Sequence, residues 1–325
     1  MIEICYATDE KYCRYMATSM LSVLLSADGN DAIRFWILDN GMTDESRNWV
    51  RGICWRYGAE VEFCRVAAER FASFPAGGPH ISNTTYARYD IAELVSDEVG
   101  RILYLDCDTL VKASLRPLYD CEIGGCVLGG VEDLGYWMGR QNHPDEYPMQ
   151  GFYINAGVLL IDLAAWRRCG MGARLLDYTG RHAAELKIGD QDVINAVCRG
   201  RIFRLDSRYN VQDSFVRFSC NQYPDKAFGD EIEIATLNPT VIHYTFRNKP
   251  WNTAHLKWGK DWLTVYRKLP GLSDEAHRQV LALYDEPWLR RISDRLEMMR
   301  LSASALLLPW RRAHYQAKIR RRDWR

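Results

Sequence analysis

Two aspartates separated by one residue, Asp106-Cys107-Asp108, follow directly on the apolar run Arg101–Leu105 (RILYL). Carboxylates so spaced at a strand end can both reach one divalent cation, because the chain turns out of the sheet there. Hard oxygen ligands suit Mn²⁺ or Mg²⁺, which in turn bridge phosphate oxygens. The plain alternative is a pair of solvated turn aspartates. His243 ends a second strand-like run, Val-Ile-His-Tyr. It reads either as a third ligand that leaves positions for two phosphate oxygens, or as a hydrogen-bonded structural histidine. Lys249, in Asn-Lys-Pro-Trp, offers a cation to a diphosphate or is an ordinary surface lysine. Gly189-Asp190-Gln191-Asp192 precedes the helical VINAV, so Asp190 is either an N-cap or a carboxylate for ligand hydroxyls, with the Gln191 amide beside it.

The elements that must position these groups alternate. Ile2–Ala7, Ile33–Leu38, Val61–Val66 and Arg101–Leu105 read as strands, and Lys11–Ala27 and Thr84–Leu94 as helices. Thr43 offers an N-cap with Asp44 and Glu45 in a first turn, and Gly58 a stop. This order argues an open, mostly parallel α/β sheet, in which ligands sit beyond the carboxyl ends of strands. That rule singles out Thr8-Asp9 after the first strand and Asp106–Asp108 after the fourth. From Gly124 to about Val197 the chain is richer in loops around the apolar run Val158–Leu163, and no internal repeat is visible.

The 325 residues carry a formal net charge of zero, which argues against general nucleic-acid binding. The balance hides an asymmetry: residues 290–325 hold eleven Arg/Lys and three Asp/Glu, leaving 31 basic and 39 acidic groups in the remainder. Ten cysteines are scattered singly with no CxxC pair, and the start lacks a basic region followed by an apolar core. Both features fit a cytoplasmic protein with reduced thiols. No stretch reaches the roughly 18–20 apolar residues needed to span a bilayer.

Six blocks, CYATDEKY, HISNTTYARYDIAEL, RILYLDCDTLV, FYINAGVLLIDLAAWR, GDQDVINAV and VIHYTFRNKPW, follow in order from residue 4 to about residue 260. In this the sequence resembles the family 8 retaining glycosyltransferases, nearest the bacterial lipooligosaccharide and lipopolysaccharide α-galactosyltransferase branch. The resemblance implies a GT-A fold, a Rossmann-like, mostly parallel mixed sheet flanked by helices, over residues 1–270. It also implies transfer of galactose or glucose from UDP-galactose or UDP-glucose to a saccharide or glycolipid acceptor, with Mn²⁺ (or Mg²⁺) under the diphosphate.

Block by block, the resemblance places Ala7, Thr8, Asp9 and Tyr12 against uracil and ribose. Asp106, Asp108 and His243 would hold the metal, and the Cys107 backbone would face the ribose. Arg88 would contact the donor sugar and order the site; Asp133, Asn155, Ala156 and Gly157 would line the hexose. Asp190 would read its hydroxyls, Gln191 would stand where a nucleophile is sought, Lys249 would bind diphosphate, and His80 would approach the acceptor. Glutamine is a poor nucleophile, so front-face attack is the expected route to retention, a β-phosphate oxygen accepting the acceptor's proton.

One position departs from the family pattern: Phe246 stands where many relatives carry glycine, so the loop over the diphosphate is expected to follow another path. It is also the one feature favouring an altered, UDP-sugar-binding scaffold protein over an enzyme; the GDQD and HYxxxxKPW blocks disfavour a nucleotidyltransferase. After about Pro270 the composition shifts, and residues 271–325 are expected to form a helical, Arg- and Trp-rich segment. Basic-aromatic helices of this kind can lie on anionic membrane surfaces, which would place the protein peripherally on the inner face of the cytoplasmic membrane; the alternatives are a solvated helix packed on the catalytic domain or a partner-binding helix.

Overall fold

In the computed structural model, residues 1–71, 74–75, 83–142, 151–217, 226–245, 247–254 and 256–285 are described. Ile2–Thr8 (β1) is buried at every position, as a strand covered on both faces must be. It pairs in parallel with Ile33–Asp39 (β2) on one side and with Arg101–Leu105 (β4) on the other. Glu60–Arg65 (β3) extends the sheet beyond β2, and its mixed, charged pattern suits an edge. Thr109–Val111 is β5, and Leu128–Glu132 (β6), Ile154–Asp162 (β7) and Ile202–Arg204 (β8) complete the sheet in the order β3-β2-β1-β4-β7-β6-β8. Among the described strands of this sheet only β7 runs against its neighbours. The expected mostly parallel α/β sheet flanked by helices is what forms.

A small second sheet caps the carboxyl edge. There β5 pairs antiparallel with Val241–His243 (β10), which pairs in parallel with Val211–Gln212 (β9). The segment read as loop-rich thus contributes β6, β7 and the helices Leu134–Asn142, Leu163–Arg168, Met171–His182 and Asp190–Val197.

Local chemistry sets several boundaries as expected. Thr43 caps helix Asp44–Arg56 by accepting from Ser46 N–H at 3.2 Å, and Gly58 takes φ +67° just beyond its end. The stretch 84–94 differs: Asn83–Asp90 is a 3-10 helix, followed by one α-turn over Ile91–Leu94. Its three-residue repeat stacks Thr85 and Arg88 on one side, and Arg88 Nε donates to Thr85 O at 3.0 Å. Helix Met171–His182 also presses on this segment, since a Cβ on Gly172 would lie 2.7 Å from Tyr89 O.

Helix Glu275–Tyr284 packs through Val280, Leu281 and Tyr284 on the cluster formed by Trp262, Tyr266 and Ile242. Among the described residues, no helix is long and apolar enough to cross a membrane.

Candidate functional site

The topology makes one edge of the large sheet the meeting place of the chemical residues. Asp106 continues the β4–β7 ladder, donating its N–H to Gly157 O at 2.8 Å. Because β7 runs the other way, its first residues, Asn155–Gly157, lie beside the carboxyl end of β4. His243 is paired with Thr109 across the β5–β10 ladder, and Tyr244 N–H donates to Asp108 O at 3.0 Å. The small sheet therefore delivers an imidazole from late in the chain onto the two aspartates.

Ligand atoms of Asp106, Asp108 and His243 all lie within 4.8 Å of one another. His243 Nε2 is 3.2 Å from Asp108 Oδ1 and 3.7 Å from Asp106 Oδ2. Lys249 Nζ donates to Asp108 Oδ2 and to the carbonyls of Tyr244 and Thr245. Burial opposes ionisation of Asp108, but the Lys249 ammonium overcomes it and holds the carboxyl well below the usual carboxylate range.

The residues fit a divalent cation. Two carboxylates and one imidazole are a hard, mixed donor set suited to Mn²⁺ or Mg²⁺. Asp108 Oδ1 is buried and has no hydrogen-bond partner among the described residues, so the nearby imidazole does not satisfy it. The space is also reserved: a Cβ on Gly157 would fall 2.0 Å from His243 Cε1 and 2.8 Å from Asp106 Oδ2.

Arg88 lies behind this cluster. It donates from Nη2 to Asp106 Oδ1 at 3.0 Å and from Nη1 to Ala156 O, and its Nε is 2.9 Å from Asp190 Oδ2. The guanidinium carbon sits 4.2 Å from the Tyr104 ring centroid. Burial raises the Asp190 carboxyl above its ordinary value, against the pull of Arg88.

Gln191 is held at both ends of its amide. Its Oε1 accepts from Ala156 N–H at 3.0 Å, and its Nε2 donates to Asp133 Oδ2 at 3.0 Å. Asn155 donates to the same Asp133 oxygen at 3.0 Å, and Tyr136 N–H donates to Asp133 Oδ1 at 2.7 Å.

A cleft of about 510 Å³ joins these groups to Ala7, Thr8, Asp9 and Tyr12 at the end of β1. That size is ordinary for a small-molecule site. Asp9 Oδ1 accepts from Tyr12 N–H at 3.0 Å, turning the chain into helix Cys13–Ser26. The Cys107 thiol is turned inward onto Ala7 O at 3.2 Å, which leaves backbone facing the cleft. All the sequence-derived site residues among those described are thus gathered around one cleft. His80 and Phe246 lie outside the described residues.

Sequence reasoning missed Tyr104 under Arg88, Tyr153 and Asn210. Tyr153 sits two residues before Asn155 in a block already marked, and its hydroxyl donates to Asp192 Oδ1 at 2.6 Å. Asn210 carried no spacing signal.

Comparison with known proteins agrees with this architecture. A profile described as glycosyl transferase family 8 matches residues 3–255. The chain belongs to that family. This family 8 glycosyltransferase is 26% identical over 259 residues to general stress protein A of Bacillus subtilis (strain 168), covering 78% of this chain and 88% of that protein. It is 26% identical over 268 residues to a lipopolysaccharide 1,3-galactosyltransferase of Salmonella typhimurium, covering 79% of this chain and 73% of that enzyme. The crystal structure of the galactosyltransferase LgtC with donor and acceptor sugar analogues superposes with a TM-score of 0.76. There the identity is 30%, over 86% of this chain and all of LgtC, and the fold is the GT-A fold.

Proposed function

We propose that this glycosyltransferase moves a hexose, galactose or glucose, from a UDP-sugar to a saccharide acceptor with retention, in synthesis of lipopolysaccharide or another surface glycan. The observation that carries the reading is the convergence of Asp106, Asp108 and His243 within 4.8 Å, with Lys249 against the same carboxylate, at the strand edge of a glycosyltransferase cleft. These three residues would hold Mn²⁺ or Mg²⁺, which supplies charge to stabilise the leaving diphosphate.

The remaining roles belong to the chain itself. Lys249 brings its ammonium to the diphosphate, adding to the electrostatic stabilisation of a leaving group that becomes more negative as the glycosyl bond breaks. Ala7, Thr8, Asp9, Tyr12 and the Cys107 backbone form the nucleoside end of the cleft. Asp133, Asn155, Ala156, Gly157 and Asp190 line the hexose end, with Arg88 holding Asp106 and Asp190 in register.

A double displacement requires a nucleophile on the face opposite the leaving group. Gln191 has its amide oxygen committed to Ala156 N–H and its nitrogen to Asp133, which supports front-face attack instead. His80 belongs to the acceptor side in this reading. Residues 287–325, rich in arginine and tryptophan, would carry the enzyme to an anionic membrane surface bearing its glycolipid acceptor.

The test is Mn²⁺-dependent UDP release from UDP-galactose and UDP-glucose, with and without saccharide acceptors. Wild-type protein should release UDP, and Asp106→Asn or Asp108→Asn should abolish release at ordinary metal concentrations. Full activity of either variant removes the metal assignment. Absence of release from every UDP-sugar and acceptor leaves the scaffold reading instead.

A further inference from the structure

The imidazole of His243 has two nitrogens, and only one can serve a cation beside Asp106 and Asp108. The polarity of the surrounding hydrogen bonds decides which. Gly157 N–H can donate but not accept, and it points at the Asn155 side chain at 3.0 Å. The Asn155 atom facing it must therefore be the oxygen, and the Asn155 nitrogen donates the other way, to Asp133 Oδ2 at 3.0 Å. Asn210 also approaches the Asn155 oxygen at 3.0 Å, so it must present its NH₂ there. That leaves Asn210 Oδ1 against His243 Nδ1 at 3.0 Å, and an amide oxygen can only accept. The ring must then carry a proton on Nδ1, and Nε2 is directed at the aspartates. His243, Asn210 and Asn155 are all buried, so no solvent proton competes for these bonds.

We infer that Asn210 is a positioning residue of the metal centre: its amide, oriented through Asn155 by a backbone N–H of β7, fixes the His243 tautomer that leaves Nε2 free to bind a cation. Histidine ligands commonly donate their second N–H to such a partner, and its loss weakens metal binding. The same bond series runs on through Asp133 to the Gln191 amide, which a second backbone donor, Ala156 N–H, orients from the other end. The metal-binding ring and the hexose end of the cleft are thus joined by bonds of fixed direction. This inference rests on the proposed metal site.

Two measurements separate its failure from the failure of that site. Imidazole nitrogen shifts of the metal-free wild-type protein, recorded by ¹⁵N NMR in the alkaline range and assigned by their loss in His243→Gln, should show Nδ1 protonated and Nε2 bare. The reverse pattern, or a mixture, overturns the role of Asn210 whatever the metal does. Titration with Mn²⁺ alone, followed by the electron-spin signal of the free ion, should show an affinity about 10- to 100-fold weaker in Asn210→Leu. An unchanged affinity in folded Asn210→Leu also overturns it. If wild-type protein binds neither Mn²⁺ nor Mg²⁺, the metal site falls, and with it the purpose assigned to Asn210, even where the nitrogen pattern stands.

Discussion

Arg88 and Arg14 each bridge distant parts of the chain to aspartate, and they do so on opposite terms. Arg14 makes the better pair by geometry, a two-pronged contact with Asp274 at 3.0 and 2.6 Å. Its side chain is 23% exposed and that of Asp274 52%. Arg88 is spread over Asp106, Asp190, Ala156 O and Thr85 O, none of them two-pronged, yet it is only 2% exposed. Water competes for and screens the first pair, and exposed pairs are worth about 0–1 kcal/mol. Water cannot replace Arg88 beside Asp190, their side chains being 3% and 6% exposed, so its removal would strand a buried carboxylate. Burial, more than bond geometry, decides what each arginine is worth.

The comparison breaks most visibly at Arg88. Replacement by methionine leaves Asp106 and Asp190 facing each other without a cation, and we expect about 3–5 kcal/mol of destabilisation in urea unfolding together with loss of transfer. Arg88→Lys should rescue little of either, because one ammonium cannot reproduce a fork that serves three segments. A stability within about 1 kcal/mol of wild type would mean that the buried junction behaves like the exposed one.

Gly157→Ala tests the same region without touching a charge. Its new Cβ would lie 2.0 Å from His243 Cε1, so the ring has to leave. Mn²⁺ affinity, measured with the metal alone, should fall by at least about tenfold. Retained affinity would show that the cradle yields.

Gln191→Glu asks whether the hexose end tolerates one more carboxylate. The new oxygen replaces a nitrogen 3.0 Å from Asp133 Oδ2, and two carboxylates that close cannot both ionise freely. One of them therefore titrates above its ordinary value. We expect UDP-sugar transfer to drop about tenfold near neutral pH and to recover as the pH falls, when a protonated Glu again donates to Asp133. A flat pH–rate profile, or a glycosyl adduct trapped at position 191, would count against the front-face reading.

These regions were unequally legible in the sequence. The runs IEICYA, IRFWIL and RILYL are apolar enough to be read as strands, and a strand end followed by Asp-Cys-Asp announces its own chemistry. Of the small sheet only β10 was legible, as the run Val-Ile-His-Tyr; β5 and β9 were not, because they are three and two residues long. Such short strands have no periodicity to read, and only pairing with β10 makes them strands. The stretch 84–94 reads as α-helix by composition, and contact with Gly172 and the Arg88 junction makes most of it 3-10. Asn210 was invisible for a related reason: an asparagine between tyrosine and valine has no local role, and its partners, Asn155 and His243, are brought to it by topology alone.

The smallest expected effect lies at the exposed junction. The Arg14 hydrogen bond brings the Asp274 carboxyl down to about 2. A carboxyl lowered on folding stabilises the folded state above its unfolded value, about 3.9, and loses that contribution as pH falls through the folded one. Asp274 also caps helix Glu275–Tyr284 by accepting from His277 N–H at 2.8 Å, and asparagine caps as well as aspartate does. Asp274→Asn therefore removes the charge while leaving the cap. We expect it to cost only about 0.2–1 kcal/mol at pH 7, once solvent screening is allowed for, and to leave UDP release unchanged. The difference from wild type should vanish between about pH 4 and pH 2, and it should shrink with added salt. A loss of several kcal/mol, insensitive to salt, would instead place Arg14 beside Arg88 as a buried anchor and erase the distinction between the two.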